Sequence, residues 1–149
     1  MAKPITVAAS KMIVKLGDGA TPTEVFTAPC GMTTKGLNIT KNTNEVNVPD
    51  CDDPDAPVWV ERGVVSMSAE ISESGILAME SLEDWLTFLD STISRNVQVW
   101  LDVPASEHGG HWNGKFLLTG FNVTAEQGNK VQAAVTMQSD GPVAWVPVV

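Results

Sequence analysis

The side chains best suited to catalysis are sparse in this sequence, and its two histidines lie close together. His108 and His111 flank a pair of glycines, with Glu107 directly before them. Imidazole and carboxylate groups are zinc ligands, but a structural zinc site needs four of them, and the HExxH pattern is absent. Nucleophilic catalysis also needs a base and an orienting group beside the nucleophile. The segment therefore favours a solvated loop tip over a metal centre or an active site.

Four aspartates form the densest acidic cluster of the chain: Asp50, Asp52, Asp53 and Asp55. Oxygen ligands at alternating positions suit calcium, and Glu61 takes the twelfth position counted from Asp50. Pro54, however, occupies a ligand position, and Asp55 stands where an EF-hand loop needs glycine. The pattern favours a solvated acidic loop, with calcium binding as the alternative.

Two further patterns bear on ligand binding. Gly17-Asp18-Gly19 lacks a following lysine and hydroxyl residue, so it indicates a turn rather than a phosphate cradle. Four tryptophans are a candidate platform for stacking sugars, although aromatic residues on strands are more often core or interface residues; they are Trp59, Trp100, Trp112 and Trp145. A carbohydrate- or ligand-binding module stays open as an alternative, and no cofactor is indicated.

Most of the elements that carry these residues are predicted to be strands. Across residues 65–71 apolar side chains alternate with polar ones, which is the period of a strand with one covered face; the polar set is Ser66, Ser68, Glu70 and Ser72. Similar patterns predict strands over residues 11–16, 23–28, 34–43, 97–103, 115–125 and 130–138, the last two joined as a hairpin. Trp100 interrupts the polar face of its strand, as an interface residue often does.

One segment has helical period and follows the alternating strand. Its apolar stripe comprises Leu82, Trp85, Leu86, Leu89 and Ile93, and Ser81 with Asp84 predicts a capping pair at its start. Many strands and one helix predict a mainly β fold, either an antiparallel β-sandwich of two packed sheets or a partly open barrel, with one short flanking α-helix.

The chain is expected to form one domain over residues 1–149. Residues 1–10 and the last seven residues are predicted to be arms, and residues 47–57 and 104–114 are predicted to be long loops.

Composition narrows the possible functions. The 149 residues carry a net charge of −9, and only 18% are charged, against roughly 25% in ordinary soluble domains. Negative charge opposes tight DNA binding, and no apolar run approaches the roughly 20 residues that span a membrane. Cys30 and Cys51 form no CxxC pair, which favours reduced thiols in a protein made in the cytoplasm. The shortage of charge suggests that some surface is buried between subunits.

Four features carry a likeness to a known family: the alternating strand of residues 64–72, the helix of residues 81–91, the strand of residues 96–103, and the ending that runs from Leu118-Thr119-Gly120-Phe121-Asn122-Val123-Thr124 to Ser139-Asp140-Gly141-Pro142-Val143. In these features, which span nearly the whole chain, it resembles the tail tube, or major tail, proteins of long-tailed phages and gene transfer agents. The resemblance implies a structural protein and not an enzyme.

The same resemblance implies how the protein works. Copies would join their sheets into hexameric rings, and the rings would stack into a hollow tube through which double-stranded DNA passes transiently. It also implies a tape measure protein and terminator or distal tail proteins as partners. The place of action would be a virion assembled in the cytoplasm of a bacterial host.

Two sets of residues are expected to contribute to such a tube. Ser66, Ser68, Glu70 and Ser72 are candidates to line the bore, although alternation alone leaves open that they face outer solvent. The resemblance suggests that the loop with Asp50, Asp52, Asp53 and Asp55 and the N-terminal arm bridge to neighbouring copies. Another ring-forming component of tails or secretion tubes, and a hydrolase that uses Asp and His residues from the two loops, remain the competing hypotheses.

Overall fold

A computed structural model describes residues 2–149, which form seven strands and one α-helix. The strands are β1 (Met12–Gly17), β2 (Phe26–Thr27), β3 (Met32–Asn47), β4 (Val60–Ile76), β5 (Arg95–Leu101), β6 (Gly110–Thr124) and β7 (Gln132–Pro147), and the helix is α1 (Met79–Asp90). Short 3-10 turns lie at Ala9–Lys11 and Ala105–Glu107. No helix within residues 2–149 is long and apolar enough to cross a membrane.

All seven strands belong to one antiparallel sheet with the order β2-β1-β5-β6-β7-β4-β3. The Lys35 ammonium group on β3 donates a hydrogen bond to the Met12 carbonyl on β1, over 2.9 Å. Because β1 and β3 lie near opposite margins of the sheet, this contact shows that the sheet curls upon itself without closing. The predicted mainly β class with one helix is confirmed, and the single continuous sheet corresponds to the partly open barrel.

The core lies on one face of this curled sheet. Period-two alternation places every second residue of the central strands inside, with Val14 and Leu16 on β1, Val97 and Val99 on β5, and Val135 and Met137 on β7 all buried. On β4 the alternation predicted from the sequence holds for Ala69 and Ile71, which are buried. Val65 and Met67 remain exposed because β4 continues beyond the core.

The helix packs its own apolar side against this core, but with a different start and stripe from those predicted. Trp85 and Phe88 are its buried residues, whereas Leu86 and Leu89 are exposed and Ile93 lies beyond the helix end. The predicted capping pair is wrong: the N-cap is Ala78, without a side-chain hydrogen bond. Ser81 lies inside the first turn, where its hydroxyl accepts a hydrogen bond from the Cys30 N–H over 3.3 Å.

Two predicted irregular segments are strand instead. Residues 110–114 open β6, and residues 143–147 close β7, where Gly110 pairs with Pro147 and Gly114 with Val143. A Cβ on Gly110 would lie 2.6 Å from the Trp145 ring, so glycine here permits close approach of the strands. The predicted loop over residues 104–114 and the C-terminal arm are therefore wrong in these parts. The predicted strand over residues 23–28 shrinks to Phe26–Thr27.

Candidate assembly surfaces

Small polar side chains line the face of β3 and β4 that points away from the core. Ser66, Ser68, Glu70 and Ser72 are all exposed there, and their register partners on β3 are Asn42, Thr40, Asn38 and Gly36. Thr40 and Ser68 hydroxyl oxygens lie 3.2 Å apart, and the Asn42 amide donates to the Ser66 hydroxyl over 3.0 Å. Glu70 is the single charged residue among these eight positions. This outer polar face offers no cation to a phosphate backbone.

The strands β3 and β4 extend beyond the rest of the sheet as a two-stranded ribbon, formed by residues 39–47 and 60–69. β4 pairs with β7 only from Glu70 to Ile76, while its pairing with β3 continues to Val60. The strand β7 turns away from β4 at the same point. Its pairing with β6 is irregular there, since Phe116 pairs with Ser139 but Gly114 pairs with Val143. The ribbon and the end of β7 therefore separate, and we call this separation the fork.

A single hydrogen bond closes the base of the fork. The Ser139 hydroxyl accepts from the Ala69 N–H over 2.9 Å, at the position where the next β7 backbone partner would lie. Beyond it opens an apolar cleft of about 130 Å³, whose lining includes Ile39, Met67, Pro142 and Val143. Met67 is 60% exposed, so the cleft is open to solvent in the lone subunit. Exposed apolar clefts of this kind mark interaction sites.

The acidic loop joins β3 to β4 at the far end of the ribbon. The Asp50 carboxylate accepts hydrogen bonds from the N–H groups of Asp52 and Asp53, over 2.8 and 3.3 Å, which forms an Asx turn. Asp50, Asp52, Asp53 and Asp55 are all exposed. Within residues 2–149 no three His, Cys, Asp or Glu side chains are placed to hold a metal ion. The loop thus presents negative charge at the ribbon tip.

Lys15, Trp100 and His111 stack on the outer face of β1, β5 and β6. The Trp100 and His111 rings lie 4.2 Å apart and nearly parallel, and the Lys15 ammonium group lies 4.6 Å from the Trp100 ring. Partial burial, and then the charge of Lys15, lower the pKa of His111. His111 is therefore a packed strand residue rather than part of a solvated loop tip. His108 is exposed and takes a left-handed conformation with φ of 63°.

The tryptophans do not share a surface, which counts against the alternative of a sugar-stacking platform. Trp112 lies opposite the buried Val99 and packs edge-on against Trp145, with 4.7 Å between ring centres. Trp100 lies on the opposite face of the sheet, since it is one residue removed from Val99. Trp59 is 95% exposed just before β4 begins.

The segment Gly17-Asp18-Gly19 forms the turn that its sequence predicts. The Asp18 carboxylate accepts hydrogen bonds from the N–H groups of Ala20 and Val25, over 2.9 and 3.1 Å. These backbone donors lower the pKa of Asp18. The carboxylate therefore organises the β1–β2 connection.

Glu73 is the one charged residue buried in the core of the described chain. Its side chain is on the inner face of β4, only 3% exposed, and its Oε1 atom has no hydrogen-bond partner. Burial raises the pKa of this carboxyl to about 7, against an opposing effect of the Lys35 charge. The alternating pattern of β4 gave no sign of it, because Glu73 takes an apolar position one residue beyond the predicted strand, which ended at Ser72.

The amino-acid sequence decides the family to which the chain belongs. The model of the phage tail tube protein family matches residues 6–144. The chain belongs to this family. The likeness seen in its strands and in its ending is confirmed, and the chain is a structural component of a phage-type tail tube. No curated protein matches the chain in sequence.

Solved structures of tail components share the fold of this tail tube protein. A chain from the tail of an empty gene transfer agent particle, refined helically with C6 symmetry, is 18% identical and superimposes with a TM-score of 0.74, covering 95% of this chain and 99% of that one. The SPP1 tail tube gives 10% identity and a TM-score of 0.58, over 97% and 81%. A sheath-tube complex of an extracellular contractile injection system gives 16% and 0.63, over 96% and 93%.

Sequence reasoning found the outer polar face of this tail tube protein but missed the fork. One signal was present, since Pro142 cannot donate to a sheet ladder and proline within a strand marks an edge or a bulge. Gly141, with φ of 106°, supplies the turn that moves β7 away from β4. The sequence Asp140-Gly141-Pro142 thus indicates where β7 leaves its partner.

Proposed function

We propose that this protein assembles into hexameric rings, and that the rings stack into a hollow tube that conducts DNA out of a phage or gene transfer agent particle. The family match supports the tube, and the C6 symmetry of the gene transfer agent tail supports six copies per ring. Closed rings that stack head to tail form an open filament, which is the symmetry that a tube requires.

The ribbon is the observation that carries this proposal. Residues 60–69 of β4 pair only with β3, and β3 is the outermost strand of the sheet, so both long edges of the ribbon lack strand partners. Free strand edges with apolar side chains lead to uncontrolled association unless they are covered. Val64, Val65 and Met67 are each about 60% exposed on this ribbon. Neighbouring copies in a ring or tube would cover these edges.

The outer polar face is the surface best suited to the bore. Ser66, Ser68, Glu70 and Ser72 lie side by side with neutral polar partners on β3. Lysine and arginine would hold DNA by displacing the counterions of its phosphates, whereas this face lets DNA slide. In the proposed tube these four residues line the lumen.

The acidic loop and the N-terminal arm are proposed to connect neighbouring copies. Four exposed carboxylates at the ribbon tip suit a basic surface on the next ring. The tape measure, terminator and distal tail proteins are the expected further partners, inside and at the ends of the tube. The virion is accordingly the proposed location.

Electron microscopy of the purified full-length protein tests the proposal. Uniform hollow filaments with sixfold symmetry are expected, with scattering that shows growth as the protein concentration rises. Single rings would instead indicate a terminator or baseplate component. A particle that stays monomeric at millimolar concentration would overturn the tube.

A further inference from the structure

The fork combines an unpaired strand edge with an apolar cleft. Ala69 donates its N–H across the fork to Ser139, so its backbone points toward β7. Backbone groups alternate in direction along a strand, so the N–H and C=O of Met67 point the same way. No β7 residue pairs with Met67, because the β4–β7 register begins at Glu70. This edge is therefore able to accept another strand.

Side chains as well as backbone groups are available at the fork. Ile39 and Met67 extend from the ribbon, and Pro142 and Val143 face them from β7 across the cleft. An added strand would gain main-chain hydrogen bonds from the edge and pockets for alternate side chains from the cleft, which is the usual chemistry of β-augmentation.

The N-terminal arm, residues 2–8, has the composition of such a strand. It is exposed and belongs to no strand, with Ile5 58% and Val7 38% exposed. Ile5 and Val7 alternate with Thr6, so in an extended strand both apolar side chains point to one face. Seven residues span about 23 Å. The nine residues 60–68 of β4, which pair with β3 but have no partner on the β7 side, span about 30 Å, so the free edge has room for the arm.

Charge also favours this pairing. The arm carries Lys3 and no acidic residue, whereas the acidic loop at the ribbon tip carries four aspartates within residues 50–55. A strand laid along β4 reaches toward that loop. The arm of the same subunit is exposed and pairs with no strand of its own sheet, so it is free to reach a second copy.

We propose that the N-terminal arm of one copy adds as a strand to the fork of another, with Ile5 and Val7 in the apolar cleft beside Met67. The inference rests on the proposed function, because it names the contact through which copies hold together. The arm then covers both the free edge and the cleft.

Directed disulfide cross-linking tests this contact in the full-length protein. In a background with Cys30→Ser and Cys51→Ser, one preparation carries Ile5→Cys or Val7→Cys and a second carries Met67→Cys. Mixed and oxidised, they are expected to form disulfide-linked dimers of the two chains. Thr6→Cys is the matched control, since its side chain points away from the cleft, and it is expected to cross-link at least about tenfold less.

The outcomes separate the contact from the tube. Cross-links without filaments support the contact and count against the tube. Filaments without cross-links, or equal cross-linking from Thr6→Cys, overturn the contact and leave the tube intact. A chain with both Ile5→Cys and Met67→Cys that cross-links only within itself also overturns it. Deletion of residues 2–8 adds a second test. The shortened protein should still fold, but the concentration at which it assembles should rise at least about tenfold.

Discussion

Lys35 and Glu73 lie directly opposite each other on β3 and β4, yet they do not form an ion pair. The Lys35 ammonium group instead donates to the Met12 carbonyl, and so links β3 to β1, while Oε1 of Glu73 stays without a hydrogen-bond partner in the core. The hydrogen bond from Lys35 to Met12, which joins the two margins of the sheet, therefore leaves the buried Glu73 carboxyl without a positively charged partner. Burial of a charge without a partner is costly, and the group responds by binding a proton.

Stability is expected to fall as pH rises because of Glu73. The pKa of its carboxyl is raised from 4.5 to about 7 in the folded chain. Below pH 4.5 the carboxyl is protonated in both the folded and the unfolded chain, so stability does not depend on its titration. Between pH 4.5 and 7 only the unfolded chain releases the proton, and the free energy of unfolding falls with rising pH. Above pH 7 the folded chain releases the proton as well, and the fall ends. At 1.36 kcal/mol per pKa unit the loss above pH 7 is about 3 kcal/mol.

Glu73→Gln is expected to remove this dependence. Glutamine keeps the shape and carries no charge, so the variant should be more stable than the natural chain at pH 8, by up to about 3 kcal/mol, and similar at pH 4. Urea unfolding at a series of pH values measures the effect. Glu70→Gln, on the exposed face of the same strand, is the matched control. If Glu73→Gln and Glu70→Gln give the same pH profile, the carboxyl of Glu73 is not the cause.

Ser139→Ala is expected to loosen the base of the fork. It removes the acceptor of the Ala69 N–H and leaves this donor on a buried residue unpaired, which costs about 1–2 kcal/mol. Ser66→Ala is the control, because its hydroxyl accepts only from an exposed amide, and its cost should stay below about 0.5 kcal/mol. Denaturant unfolding compares the two. Equal costs would mean that the hydrogen bond to Ser139 does not hold the fork.

Gly75 is expected to be irreplaceable where β4 approaches the start of β3. A Cβ there would lie 2.7 Å from the Thr33 nitrogen and 2.8 Å from the Met32 Cα, both backbone atoms that cannot yield locally. Gly75→Ala should cost about 2–3 kcal/mol or more. Gly63 has open space in the same strand, and Gly63→Ala should change the free energy of unfolding by less than about 0.5 kcal/mol. Thermal unfolding checks the pair, and a stable Gly75→Ala chain would contradict the close approach.

The sequence predicted those features that depend on local pattern. Alternation identified both faces of β4 around Ile71, and helical period located α1, since side-chain direction follows directly from strand or helix geometry. The prediction from sequence failed where contacts between distant segments determine the structure. Serine is a common N-cap residue, but the Ser81 hydroxyl accepts a hydrogen bond from the N–H of Cys30, which is 51 residues away in the sequence. Gly110 falls in the predicted loop of residues 104–114, whereas in the structure it lies on β6 and leaves room for the Trp145 ring.

The bore assignment predicts what a positive charge does on the outer polar face. Ser68→Lys would place six lysines in the lumen of each proposed ring, and its tubes should bind duplex DNA at least about tenfold more tightly at low salt, with a steep loss as salt rises. Ser106→Lys, on the exposed 3-10 turn, adds the same charge elsewhere. DNA retention by filaments, first checked by electron microscopy, compares them. Stronger retention by Ser106→Lys would place another surface in the bore.

Removal of the acidic loop is expected to separate folding from assembly. Residues 50–55 lie outside every strand and contribute no buried side chain, so their deletion should alter the free energy of unfolding by less than about 0.5 kcal/mol. It should nevertheless block polymerisation, since it removes four carboxylates from the ribbon tip.

A triple variant distinguishes the charge of this loop from its shape. With Asp52→Asn, Asp53→Asn and Asp55→Asn the chain loses three charges, while Asp50 keeps the hydrogen bonds that shape the turn. If attraction to a basic surface drives the contact, this variant assembles as poorly as the deletion, and high salt weakens assembly of the natural chain because it screens the same charges. If only the triple variant assembles, loop shape carries the contact. Filaments of normal length from the deletion itself, measured by electron microscopy at matched concentration, would show that neighbouring copies do not need the loop.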